Sequence, residues 1–214
     1  MSRVIWHDGS LVRGEPAGAS GYGVFTTVGC DGGQPLLWDR HARRLEGSRA
    51  ETFPRATARI PGERELVDLL ATNRLGGPAR LRVTVRRGGR TGEITVTAGC
   101  EALRESGPGL SPLHLSSVPR PVSAWSVGHK WLARAVLDDV RERATTGGAD
   151  DALLLTAEGE IMETPVANLF VRFAGVLVTP PAPADCLPGV MRAWLVDRAP
   201  ALARISHRLP AATV

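Results

Sequence analysis

The chain has 214 residues, 43% of them hydrophobic and 22% charged, enough to bury one or two apolar cores. Its formal net charge is +4 and only 5% of residues are aromatic. With the arginines spread along its length, a nucleic-acid stripe is unsupported, and small anionic ligands are an equally good explanation for the excess of Arg. No apolar run approaches the roughly 20 residues of a membrane span, and the N-terminus lacks a signal-peptide core. Three separated cysteines and scattered histidines fit a reduced, cytoplasmic protein with no metal site.

Taken in order, Arg3 to Trp6 and Leu11-Val12 flank Asp8-Gly9, a two-residue hairpin signal. A glycine-rich loop through Gly14, Gly18 and Gly21 leads into the strand Gly23-Val24-Phe25-Thr26-Thr27-Val28. The third glycine and the helix of a nucleotide loop are both missing, so these glycines are expected to let backbone pass close to a ligand or a partner chain. Gln34 to Trp38 reads as a short strand, and Asp39 as the N-cap of a helix carrying Arg40-His41-Ala42-Arg43-Arg44-Leu45. Its three arginines form a solvated face unless one turns inward to hold an anion. A second helix, Glu63 to Thr72, aligns Leu66, Leu69 and Leu70 on one face, with polar Asn73 ending the stripe. Leu81 to Arg87 and Glu93 to Ala98 alternate apolar and polar residues and form a hairpin across Gly88 to Gly92. Leu113 to Val118 adds a strand. Pro119 to Gly128 reads as a connector, dividing the chain into domains 1–118 and 119–214.

Lys130 is the only lysine among the 26 Lys and Arg residues. Arginine stays charged and cannot form an imine, whereas a desolvated lysine becomes a nucleophile. Behind it Leu132, Val136 and Val140 recur at helical spacing, so Lys130 is expected at the start of a helix or on a strand feeding it, with the helix ending near Gly147-Gly148. A buried strand, Asp151 to Thr156, turns at Glu158-Gly159. Asn168 to Phe173 and Val176 to Thr179 form a hairpin. Leu187-Pro188-Gly189-Val190-Met191-Arg192 opens a last helix whose first amides offer a phosphate seat.

Six segments in this order resemble the class IV aminotransferase family, the pyridoxal-phosphate enzymes of fold type IV. They are Gly21 to Thr27, Arg40 to Leu45, Lys130 through Leu155, Glu158 to Glu163, Asn168-Leu169-Phe170 and Leu187 to Arg192. The resemblance implies an α+β fold of two lobes, like D-amino acid aminotransferase, with the cofactor in the cleft between them. It also implies a homodimer acting on an anionic small molecule, with neither nucleic-acid nor membrane partners. Lys130 would hold pyridoxal 5'-phosphate as a Schiff base and shuttle protons. Glu163 would pair with the pyridine nitrogen, Arg44 would grip the phosphate, and Gly189, Val190 and Met191 would form the phosphate cup. The sequence departs from the family's usual residues at four places. Met191 replaces a Thr, Ala133 an Asn and Tyr22 an Asp, and the chain is short at its C-terminus.

Thr26, expected as a catalytic residue, stands where many transaminases of the family carry Glu. Phe25-Thr26-Thr27 resembles the 4-amino-4-deoxychorismate lyase branch, which releases pyruvate and leaves the folate precursor 4-aminobenzoate. Transamination of a branched-chain or D-amino acid is the alternative, and a non-catalytic relative is a third reading.

Overall fold

The computed structural model describes residues 3–15, 21–88, 92–103, 114–119, 128–173, 175–182, 186–198 and 203–205. The tips of the expected glycine-rich loop and of the 88–92 turn, residue 113 and most of the 119–128 connector lie outside the described residues. The chain forms two compact units, Met1–Pro108 with Lys130–Ala133, and Gly109–His129 with Arg134–Val214.

The first unit is built on a six-stranded antiparallel sheet of order β2-β1-β6-β5-β3-β4. β1 (Val4–His7) and β2 (Ser10–Arg13) are the expected first hairpin, and Asp8 and Gly9 take φ of 44° and 102° at its turn. β3 (Gly23–Asp31) pairs along its length with β5 (Ala79–Arg87), which pairs with β6 (Ile94–Ala102) as expected. A side chain on Gly23 would collide with the Val85 carbonyl and Arg86, so the close approach it permits is to β5 of its own sheet. β4 (Gln34–Pro35) pairs only with Cys30 and Asp31.

One face of this sheet carries α1 (Trp38–Thr52) and α2 (Glu63–Thr72). Val24, Val28, Val83, Val85, Val96 and Ala98 from the sheet join Leu45, Leu66, Leu69 and Leu70 from the helices in one core. The position before α1 is taken by Leu37 at φ 54°; Asp39 lies inside the first turn and pairs with Arg43 at 2.9 Å. Asp39 is therefore not the N-cap, because the left-handed turn at Leu37 starts the helix two residues earlier. Asn73 does more than interrupt the apolar stripe. It accepts from the Val4 amide at 3.2 Å and donates to the Val4 carbonyl at 2.9 Å, tying α2 to β1.

In the second unit β7 (Leu115–Pro119) and β8 (Asp151–Leu155) pair in parallel, and α3 (Ala135–Thr146) lies between them in sequence. β9 (Val171–Phe173), β10 (Val176–Thr179) and β11 (Ala203–Ile205) form a three-stranded sheet, with α4 (Val190–Arg198) preceding β11. The expected boundary at 118/119 departs from this division at two points. Leu115–Pro119 pairs with β8 of the second unit, and Lys130–Ala133 belongs to the first. The helical stripe also differs from expectation. Leu132 is buried outside the helix, Val136 is exposed, and Ala144 is the buried residue of α3.

Candidate active site

Lys130 reaches the first unit because residues 130–132 act as a short edge strand. β4 leaves the N-terminal half of β3 with a bare edge, and an antiparallel bridge joins Val24 to Trp131 there. The Phe25 amide donates to the Lys130 carbonyl at 2.9 Å, and the Leu132 amide donates to the Gly23 carbonyl at 2.9 Å. Lys130 is thus set in a strand-like segment, and the helix begins five residues later. This pairing lays Lys130 directly beside Phe25, on the same face. Its Nζ stands 5.2 Å from the centre of the Phe25 ring, and the Arg82 guanidinium stacks on that ring at 3.8 Å. One buried aromatic ring thereby carries an amine and a guanidinium, each favourably placed against its electron-rich face.

Period-two alternation along β3 separates the two threonines. Thr27 follows Phe25 on the Lys130 face and lies opposite Arg82 in the β5 register. Thr26 turns to the helical face and is fully buried. There its Oγ1 lies 2.8 Å from His41 Nδ1, and Arg44 Nη2 donates to the same oxygen at 2.8 Å. Arg44 is the arginine of α1 that turns inward, and burial lowers its pKa to about 10, still far above neutrality. Arg43, its neighbour, is exposed in the pair with Asp39. Burial, helped by the positive charges of Arg44 and Lys130, lowers His41 to about 4, so its ring is neutral at physiological pH.

In the second unit Glu163 sits in a tight turn that follows β8. Leu154 donates to the Glu163 carbonyl at 2.9 Å, and the Thr164 hydroxyl accepts from the amides of Val166 and Ala167. The turn sets Asn168 opposite Glu163 in an antiparallel bridge. Asn168 Nδ2 then donates to Glu163 Oε2 at 3.1 Å and to the Leu187 carbonyl at 2.9 Å, while the Leu187 amide donates to Glu163 Oε2 at 3.0 Å. A carboxyl oxygen held by two donors is fixed in position. Gly189 packs against the Asn168 amide so closely that any side chain there would overlap it. Val190 and Met191 open α4; Val190 is buried and Met191 is 60% exposed, and their backbone amides lie in the first turn of the helix.

The structure therefore brings together Lys130, Phe25 and Arg82, then Thr26, His41 and Arg44 on the opposite sheet face. Separately, it joins Glu163 to the Leu187–Gly189 turn. Arg82, Thr27, His41 and Asn168 were given no site role in the sequence, although the last three lie in segments that carry the resemblance. Strand parity was the available signal for Thr27 and Arg82. For Asn168 the available signal was its place at the head of the Asn168-Leu169-Phe170 segment of the resemblance. Among the described residues no three His, Cys, Asp or Glu side chains cluster as metal ligands, and no helix is long and apolar enough to cross a membrane.

The profile of the family described as Amino-transferase class IV matches residues 23–211. Solved structures share the fold. A branched-chain amino acid aminotransferase from Escherichia coli is 20% identical, with 98% of this chain and 78% of that one covered and a TM-score of 0.74. A 4-amino-4-deoxychorismate lyase candidate from Legionella pneumophila is 20% identical over 90% of this chain and 75% of that one, with a TM-score of 0.72. A hypothetical aminotransferase from Mycobacterium tuberculosis, solved with α-ketoglutarate and PMP bound, is 19% identical over 98% and 82%, with a TM-score of 0.76.

Proposed function

The chain belongs to the class IV aminotransferase family, and from that premise we propose that it is a pyridoxal-phosphate enzyme of the 4-amino-4-deoxychorismate lyase type. Each unit, taken by itself, carries groups that the cofactor needs. There is one amine, Lys130, for a covalent link, and one inward arginine, Arg44, for a phosphate. One carboxylate, Glu163, is fixed by two donors, and the start of α4 is kept clear of side chains at Gly189. When bound, the cofactor supplies an electron sink next to the substrate's α-carbon.

The protein's own residues do the rest. Lys130 would hold the cofactor and, as a free amine, would take the substrate's α-proton and give a proton to the departing enolpyruvate as it becomes pyruvate. Glu163 would pair with the pyridine nitrogen of the cofactor and favour its protonated form. Arg44 and the amides of Val190 and Met191 neutralise phosphate charge. Arg82, stacked on Phe25, offers its guanidinium to a substrate carboxylate. Thr27, rather than Thr26, is the hydroxyl on the face of Lys130. The observation that carries the reading is the pairing of Lys130 and Arg82 on one ring, an amine for imine exchange beside a cation for an anionic substrate.

The lyase reading rests on Phe25-Thr26-Thr27 in place of a carboxylate-bearing motif, and it is supported by the likeness to the Legionella protein. It carries a role in supplying a folate precursor, in a cytoplasmic homodimer. Transamination is supported by the likeness to the Escherichia coli enzyme. The two differ in what is left behind, since a lyase needs no keto acid to complete its cycle. Incubation with aminodeoxychorismate alone should release pyruvate and 4-aminobenzoate, and Lys130→Ala should abolish release. Borohydride reduction with pyridoxal phosphate should label the Lys130 peptide. Label on the N-terminal amine alone would overturn the assignment of Lys130. No pyruvate, together with keto-acid-reversible conversion by a branched-chain or D-amino acid, would replace the lyase with a transaminase.

A further inference from the structure

Thr26 Oγ1 has two partners, both on α1; the guanidinium fixes the direction of one bond, and the hydroxyl's remaining proton assigns the other. A guanidinium only donates, so Thr26 accepts from Arg44. The hydroxyl proton is then left to donate, and His41 Nδ1 is its acceptor at 2.8 Å. That direction requires Nδ1 without a proton, so the neutral ring carries its proton on Nε2. All three groups lie on the helical side of β3, opposite the face that Lys130 shares with Phe25. Thr26 is 0% exposed and His41 7%, so water cannot substitute for either partner.

We propose that Thr26 and His41 are positioning residues for Arg44: the chain His41···H–O(Thr26)···H–N(Arg44) sets the guanidinium for a phosphate ester. This deepens the cofactor reading above and rests on it. A Val at 26 has nearly the shape of Thr but removes this hydrogen bond from Arg44. A Ser retains the hydroxyl and should restore it. Removing the acceptor nitrogen at 41 frees the Thr26 hydroxyl to turn away, with a similar but smaller consequence.

The test compares pyridoxal phosphate with pyridoxal, which lacks the phosphate, by equilibrium dialysis on the apo full chain. A purely structural role for Thr26 would weaken both ligands together. A positioning role weakens the phosphorylated one. Thr26→Val should reduce the preference for pyridoxal phosphate by about tenfold, the loss of one directed hydrogen bond, with pyridoxal affinity unchanged. Thr26→Ser should return it to the wild-type ratio. His41→Leu should reduce the ratio in the same direction and supplies the measurement should Thr26→Val fail to fold. Arg44→Ala is the control for the underlying reading. If Arg44→Ala collapses the ratio while Thr26→Val and His41→Leu leave it intact, the positioning proposal is overturned and the phosphate role of Arg44 stands. If Arg44→Ala leaves the ratio unchanged, the phosphate assignment itself fails, and the proposal fails with it.

Discussion

Acidifying the apo-protein should destabilise it through His41, with a size that follows from its burial. The ring's pKa falls from 6.5 to about 4 on folding, because burial and the charges of Arg44 and Lys130 oppose protonation. Between those values the unfolded chain binds a proton that the native state refuses. Stability from this group is therefore complete above about pH 6.5, is lost as pH falls, and is fully lost by about pH 4. At about 1.4 kcal/mol per pH unit the whole window is worth about 3 kcal/mol, of which about 2.5 has gone by pH 4.5. Glu65, which Arg59 holds down to about 2, acts only below its ordinary value of 4.5, so the two windows separate. Urea unfolding at a series of pH values between about 7 and 4.5 measures the slope. His41→Gln keeps an acceptor for Thr26 but cannot titrate, and its stability should be flatter by about 2.5 kcal/mol over that range. Parallel curves for the two proteins would show that His41 is not a neutral buried ring, and the hydrogen-bond direction assigned to Thr26 would fall with it.

Two further outcomes follow from packing. Gly189→Ala should push the Asn168 amide off Glu163 and lower thermal stability, at a cost of about 1–3 kcal/mol; combining it with Asn168→Ala should be far less than additive, and additive effects would refute the contact. Leu69→Ala, in the fully buried stripe of α2, should cost about 2–5 kcal/mol by urea unfolding. Leu36→Ala, half-exposed, should cost less than about 0.5 kcal/mol.

Where residues repeat with the period of one element, the sequence was a sufficient guide. Leu66, Leu69 and Leu70 declared α2, and the alternation in β5 and β6 declared their hairpin, because burial on one face imposes that spacing. The stripe of Leu132, Val136 and Val140 misled for the same reason. Its first member is buried, but by edge pairing to β3 rather than on a helix, and hydrophobic spacing cannot report which partner buries a residue. Lys130 was legible as chemistry because it is the only amine side chain in an arginine-rich chain. Its position on β3 was not legible, since it depends on a bare sheet edge more than one hundred residues away in sequence.

The two neighbouring threonines of one motif face opposite sides of the sheet. Phe25-Thr26-Thr27 marks the strand next to Lys130, but side chains alternate, so only one of two neighbouring hydroxyls can share the lysine's face. The register decides which. Phe25 lies beside Lys130, which sends Thr27 to that face and Thr26 to the helices, where Arg44 and His41 take it up. A carboxylate at 26 would meet the same two residues and form an ion pair with Arg44, which would compete with a phosphate for the guanidinium. A hydroxyl orients Arg44 without neutralising it. If Arg44 holds a phosphate as proposed, the residue at 26 bears on how strongly it does so, and it acts from the helical side of the sheet.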